Sequence, residues 1–203
     1  MIDLAICVPC GDTVKSNFAF CLAQLTARLE KESVSHMVFF QSGSVLPDQR
    51  QALGNQSLQS NSKWTLWLDS YMVFPATVFE RLSSHNLDIV AGTYSTRYAP
   101  HKSVAFMSDD DASQRLTQRT GLHKVNSVGM GCMLMKTSVL ETLPAPWFSF
   151  IWDNGIKRYS GEDIYFCNLA HDYDIPVFVD AEFSEQLGHT GSNTFTMKDV
   201  YDV

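Results

Sequence analysis

The chain has 203 residues, 45% hydrophobic and 18% charged, with a formal net charge of −7. This make-up suits one well-buried globular domain and excludes a chain too polar to build a core. No apolar run nears the roughly 20 residues that span a bilayer, and no Lys/Arg cluster offers a grip on a nucleic-acid backbone.

In chain order, the apolar run at 4–8 reads as a buried strand, stopped by Pro9, Gly11 and Asp12. Ser16 then caps a helix whose apolar positions Phe18, Cys21, Leu22, Leu25 and Leu29 keep the helical repeat. Residues 37–40 make a second strand, and Pro47 with Asp48 opens a second helix through Ala52 and Leu53. A third strand at 64–68 ends on Asp69, Pro75 starts a helix carrying Val78, Phe79 and Leu82, and 88–92 is a fourth strand. Strands alternating with helices predict an α/β fold whose mostly parallel sheet is covered on both faces. Ligands bind beyond the carboxyl ends of such strands. The segments 9–13, 41–44 and 69–71 are therefore expected to line one crevice.

After residue 94 the rhythm changes. Residues 94–111 are polar and irregular, and the run Ser108-Asp109-Asp110-Asp111 lacks the spaced ligands of a calcium loop, so it reads as a solvated loop. Strands are expected at 124–128 and 132–135 around a Gly129-Met130-Gly131 turn. Ser138 and Glu141 have the capping-box spacing of a short helix. A loop through Pro144, Pro146 and Trp147 to Ser160 leads into a helix over 161–172, with Ile164, Phe166, Leu169 and Ala170 as its buried face. A late strand follows at 177–179. No repeat or linker interrupts the chain, which predicts one domain.

Five cysteines stand at 7, 10, 21, 132 and 167, and residues 1–4 show no basic and apolar leader. Cys7-Val8-Pro9-Cys10 spells C-x-x-C, but no second pair completes a zinc site, and Cys7 lies within a strand rather than at a helix start. Buried, reduced thiols in a cytoplasmic protein are the expectation.

Three features carry possible chemistry. Asp69 sits at a strand end, where a carboxylate either caps a turn or approaches a ribose or a diphosphate-bound metal. Gly161-Glu162-Asp163 opens a helix, where acidic residues suit the dipole, and where one carboxylate would also serve as a base for an acceptor hydroxyl. Gly188-His189-Thr190-Gly191 sets a histidine between glycines, which permits close placement beside a phosphate or metal.

In order and combination these segments resemble the GT-A glycosyltransferases, particularly small family-2-like bacterial and phage members. The string Leu68-Asp69-Ser70-Tyr71-Met72-Val73-Phe74-Pro75 resembles their Asp-x-Asp segment, and residues 88–94 the strand after it. Residues 128–135 resemble the glycine turn that faces donor and acceptor; Pro146-Trp147-Phe148, Gly161-Glu162-Asp163 and Gly188-His189-Thr190-Gly191 match the remaining motifs. The resemblance spans about residues 4–201 and implies a Rossmann-like sheet with a nucleotide-binding half to about residue 93 and an acceptor or catalytic half beyond it.

Carried onto this sequence, the resemblance gives Pro9, Gly11, Thr13, Arg50, Asp69, Gly129 and Gly131 a role at the nucleotide-sugar donor, a UDP-sugar in first place. Asp69 and His189 would hold Mn²⁺ or Mg²⁺. Asp163 would be the catalytic base with Glu162 orienting a sugar, and Trp147 either an acceptor platform or part of the core. The acceptor would be a saccharide, a protein or modified DNA. One departure stands out: where the family has its second aspartate, this chain has Tyr71, a poor ligand for hard divalent cations. Weak metal binding, metal-free stabilisation of the leaving diphosphate by Arg50, another cation or backbone amides, and a weakened binding or scaffold domain all remain open.

Overall fold

A computed structural model describes residues 2–108, 114–154, 157–191 and 194–201. Asp109, Asp110 and Asp111 of the acidic run lie outside them. The first half runs β1 (Ile2–Cys10), α1 (Ser16–Lys31), β2 (His36–Ser42), α2 (Leu46–Gln59), β3 (Ser62–Leu68), β4 (Met72–Val73), α3 (Val78–Ser83) and β5 (Ile89–Ala91). The chain continues through β6 (Ala105–Phe106), β7 (Leu122–Val125), β8 (Ser127–Val128), β9 (Cys132–Lys136), α4 (Ser138–Thr142), β10 (Ile151–Asp153) and β11 (Arg158–Ser160). It ends with α5 (Glu162–Asp172), β12 (Val177–Asp180), α6 (Ala181–Ser184), β13 (Gly188–Thr190), β14 (Thr194–Thr196) and α7 (Lys198–Tyr201).

Seven strands form one sheet in the order β2-β1-β3-β9-β5-β12-β7. Strands β2, β1, β3, β5 and β12 run one way; β9 is antiparallel to both of its neighbours and β7 to β12. The expectation of a mostly parallel α/β sheet holds. Strand β9 lies between β3 and β5, so segments from before and after residue 93 interleave in the same sheet.

The period-two pattern of a strand sends alternate residues to opposite faces, and both faces are buried here. Leu4, Ile6 and Val8 pack with Phe18, Leu25 and Leu29 of α1 and with Val78 and Leu82 of α3. Ala5 and Cys7 face the other way, toward Leu53 of α2, Leu140 of α4 and Phe166 of α5. Each large apolar side chain so buried contributes about 1.5–3 kcal/mol. That is why β1 reads as a continuous apolar run rather than as an alternation. No helix among the described residues is long and apolar enough to cross a membrane.

Several boundaries differ from the sequence reading. Lys15 occupies the cap position of α1 and no side chain caps it, so Ser16 is its first helical residue. Pro75 begins a turn, its carbonyl accepting from Val78 N at 3.1 Å, and α3 starts only at Val78. The capping box at Ser138 does not form, because Thr137 is the cap and turns its hydroxyl to Thr65 Oγ1 at 2.9 Å. The strand expected over 124–128 breaks at Asn126, whose N–H goes to Phe106 O, freeing β8 to pair with β6. In α5, Cys167 and Glu162 are buried while Ile164 and Leu169 are only partly so. The segment expected as one loop before α5 carries the antiparallel pair β10–β11.

Candidate active site

At the centre lies a charged network that three distant segments assemble. Pro47 opens α2, and Arg50 stands one turn further on, pointing inward with 1% of its surface exposed. Its Nη2 donates to Asp69 Oδ1 at 2.8 Å, just past the end of β3. Its Nε donates to Glu162 Oε1 at 3.0 Å, at the first residue of α5. Burial works against the Arg50 charge, but Asp69 and Glu162 outweigh it and hold the guanidinium firmly protonated. Such a pair is tolerated inside a protein because charged hydrogen bonds offset the desolvation.

Tyr71 closes the other side of Asp69, donating its hydroxyl to Oδ2 at 2.8 Å. Burial first and Asp69 second push the phenol far above its ordinary range, so it stays a neutral donor. Strand β13 brings His189 beside this turn by pairing with β4, and Thr190 N donates to Tyr71 O at 3.0 Å. His189 packs against the rings of Tyr71 and Tyr94, with centroids 5.1 and 4.9 Å away. Its Nδ1 bonds to Ser95 O at 2.7 Å, and a carbonyl only accepts, so the proton resides on Nδ1. Burial lowers its pKa, leaving the ring neutral and Nε2 a bare acceptor with no partner among the described residues. The Arg97 guanidinium covers the Tyr71 ring at 4.3 Å.

Asp163 is half-buried in the first turn of α5. Its side chain folds back toward the helix start, where a Cβ on Gly161 would collide with Oδ1. Any side chain at Gly161 would have to displace the Asp163 carboxylate from this position. Ile164 N donates to Oδ1 at 2.8 Å, yet burial and the neighbouring Glu162 charge prevail and raise the Asp163 pKa to about 6. Two adjacent carboxylates are driven apart: Glu162 is tied to Arg50, while Asp163 has no cation of its own among the described residues. A carboxylate poised near neutral pH at the strand ends suits proton abstraction.

The remaining expected residues divide. Pro9 is buried at the end of β1, where Gln49 Nε2 donates to Cys10 O at 2.6 Å; Gly11 and Thr13 are exposed just beyond. A Cβ on Gly11 would meet nothing within 4 Å, so the loop borders open space. Gly129 and Gly131 are filled from outside by Tyr94: a Cβ at either position would come within 2.6 Å of its hydroxyl. Gly131 N also donates to that hydroxyl at 3.0 Å, which gives both glycines a structural reason without a donor. Arg50 is ion-paired to two carboxylates through Nε and Nη2, while its buried Nη1 has no partner among the described residues.

Of the two roles expected of Trp147, its surroundings match part of the core. It is 5% exposed, its indole N–H goes to Leu143 O at 3.0 Å, and its ring lies where a Cβ on Gly54 would touch it at 3.0 Å. The two residues expected at a metal are differently placed, since His189 Nε2 has no partner among the described residues while Asp69 is engaged. Both Asp69 oxygens already accept hydrogen bonds, and among the described residues no three His, Cys, Asp or Glu side chains converge. Among the described residues, this donor set does not make a Mn²⁺ or Mg²⁺ site from protein side chains alone. The five cysteines form no disulfide and are all buried, and Cys7 is pushed far above the thiolate range by burial, as expected of a strand thiol.

Two features escaped the sequence. Arg97 is a single basic residue in an irregular segment, and only the fold sets it over Tyr71. Trp152 and Tyr159, 48% and 65% exposed, form an edge-to-face pair 5.2 Å apart on the β10–β11 hairpin that leads directly into Gly161. Their aromatic alternation was the available signal. A cleft of about 550 Å³ lies along β7, lined by Met107, Lys124, Asn126 and His171; it contains none of Asp69, Glu162, Asp163 and His189.

Comparison with solved structures places the chain in the GT-A-like fold seen in glycosyltransferases. It superposes on A197 from STIV with a TM-score of 0.62 and 18% identity, covering 94% of this chain and 86% of that one. It is similar to a Drosophila β-1,4-galactosyltransferase 7 variant solved with manganese, UDP-galactose and xylobiose, with a TM-score of 0.54 and 16% identity over 94% and 71% of the two chains. No protein-family model matches the sequence, and no curated protein matches it significantly.

Proposed function

We propose that the chain is a glycosyltransferase that moves a sugar from a nucleoside-diphosphate donor, a UDP-sugar in first place, to an acceptor hydroxyl. The observation that carries this reading is Asp163: a half-buried carboxylate with its pKa raised to about 6, beside the Arg50–Asp69–Glu162 network at the strand ends. In the proposed single displacement, the acceptor oxygen attacks the anomeric carbon and its proton passes to Asp163. The bond from that carbon to the diphosphate breaks, the electron pair leaving with the diphosphate oxygen. Attack from the opposite face inverts the anomeric carbon. Arg50 holds Glu162 and Asp69 in place and keeps their charge from pushing the Asp163 pKa higher.

The acceptor is proposed to be a saccharide, whose apolar ring face would rest on Trp152 and Tyr159 beside the base. The same pair would also suit a sugar borne on a protein or on modified DNA. NMR of the transferred sugar tests the mechanism: an inverted anomeric carbon is expected, and retention contradicts it. Thermal shifts with nucleoside diphosphates and their sugars test the donor, since a ligand of the native state raises Tm. A scaffold that only binds nucleotide sugars would show the shift without turnover.

A further inference from the structure

A departing nucleoside diphosphate needs positive charge, and the groups expected to supply it are otherwise engaged. Arg50 has its charge balanced by Asp69 and Glu162 and is 1% exposed, with Nη1 alone lacking a partner among the described residues. Asp69 has both oxygens bonded and does not fit a cation site. Arg97 is different. It is half-buried, and among the described residues no carboxylate pairs with it.

Its placement is also fixed. The loop that bears it is closed by a bridge between Ser95 and Ser103, and by Thr96 N donating to Lys102 O at 2.9 Å. Ser95 O in turn receives His189 Nδ1. The guanidinium rests on the Tyr71 ring, the side chain that stands in the second position of the acidic motif. Stacking leaves the edge of a guanidinium, with its N–H donors, free to grip phosphate oxygens. Next to Tyr71, His189 is 7% exposed and its Nε2 has no partner among the described residues, an acceptor suited to a ligand hydroxyl. A cation and a hydroxyl acceptor side by side match a diphosphate joined to a sugar.

We propose that Arg97, carried on the Tyr71 ring, binds the diphosphate of the donor and takes the place of a divalent metal ion. The inference rests on the transferase reading. As the bond to the anomeric carbon breaks, the electron pair passes to the diphosphate oxygen, and Arg97 offsets the charge that collects there. Tyr71 is then a positioning residue: its ring supports the cation, and its hydroxyl occupies Asp69 Oδ2.

The test is calorimetric titration of the full chain with inorganic pyrophosphate, UDP and uridine, in EDTA and in Mn²⁺. The wild type is expected to bind pyrophosphate and UDP in EDTA, with Mn²⁺ changing the affinity little. Arg97→Gln should weaken both by about ten- to a hundredfold, the range for lost charge-assisted hydrogen bonds, while Arg97→Lys recovers part of it. Uridine affinity should be equal in all variants, which a general distortion of the site would not leave unchanged. Equal pyrophosphate affinity in Arg97→Gln and wild type overturns the proposal, as does binding that appears only with Mn²⁺. If donor turnover persists in either of those cases, the transferase reading survives without it. If the wild type binds neither pyrophosphate nor UDP in either buffer, both fall.

Discussion

Tyr71 donates its hydroxyl to Asp69 Oδ2 at 2.8 Å, so the residue that replaces an expected aspartate is bonded to the aspartate that remains. A second carboxylate at that position would repel Asp69, whereas the phenol satisfies it. Tyr71→Asp should therefore create divalent-ion affinity while removing the shelf beneath Arg97. Mn²⁺ binding followed by electron paramagnetic resonance checks this; no gain in affinity contradicts the view that Tyr71 keeps the metal out.

Arg50 is the most consequential buried cation. Arg50→Met leaves Asp69 and Glu162 buried without a partner and should destabilise the fold by about 3–5 kcal/mol. Chemical denaturation measures it. A loss below about 1 kcal/mol would mean that water reaches both carboxylates.

Asp163 links function to stability through its raised pKa. A base must be ionised, so activity should fall as pH drops through about 6, giving the acid limb of the rate profile. The stability sign is opposite. The native pKa lies above the ordinary 3.8, so the favourable protonated state is fully present below that value and lost as pH rises through about 6. Asp163→Asn should thus raise Tm at pH 7.5 by at least about 2 °C, a gain that disappears near pH 3.5. A lower Tm at pH 7.5 would show that the ionised carboxylate stabilises the native state.

Tyr94 accounts for the two glycines of the turn before β9. Gly129→Ala brings a methyl to within 2.6 Å of the Tyr94 hydroxyl, and such overpacking costs about 1–3 kcal/mol. Tyr94→Phe removes that oxygen and should partly rescue Gly129→Ala, where the next atoms are Val104 Cγ2 at 3.0 Å and Tyr94 Cζ at 3.1 Å, but not Gly131→Ala, where Tyr94 Cζ is at 2.8 Å. Thermal denaturation of the two double variants compares them; equal rescue would point to backbone conformation instead.

The fold was largely open to a reading of the sequence because a sheet buried on both faces writes itself as apolar runs, such as residues 4–8 and 64–68. The chain order of Asp69, Glu162, Asp163 and His189 was likewise visible. Their partners were not: Arg50 meets Glu162 across 112 positions, a pairing that no local pattern records. Trp147 illustrates the converse, since an indole suits a core and a sugar face equally until its N–H partner is known. The β10–β11 hairpin was hidden among turn-forming residues, and Arg97 in a segment with no periodicity.

The most direct measurement is the rate of nucleoside-diphosphate release from a panel of nucleotide sugars, with water or an added saccharide as acceptor, for wild type and Asp163→Asn. The account predicts release by the wild type from at least one donor and a rate lower by about 10²–10⁴ in the variant, the usual contribution of a positioned base. Equal rates in the two proteins, or no release from any donor, would contradict it.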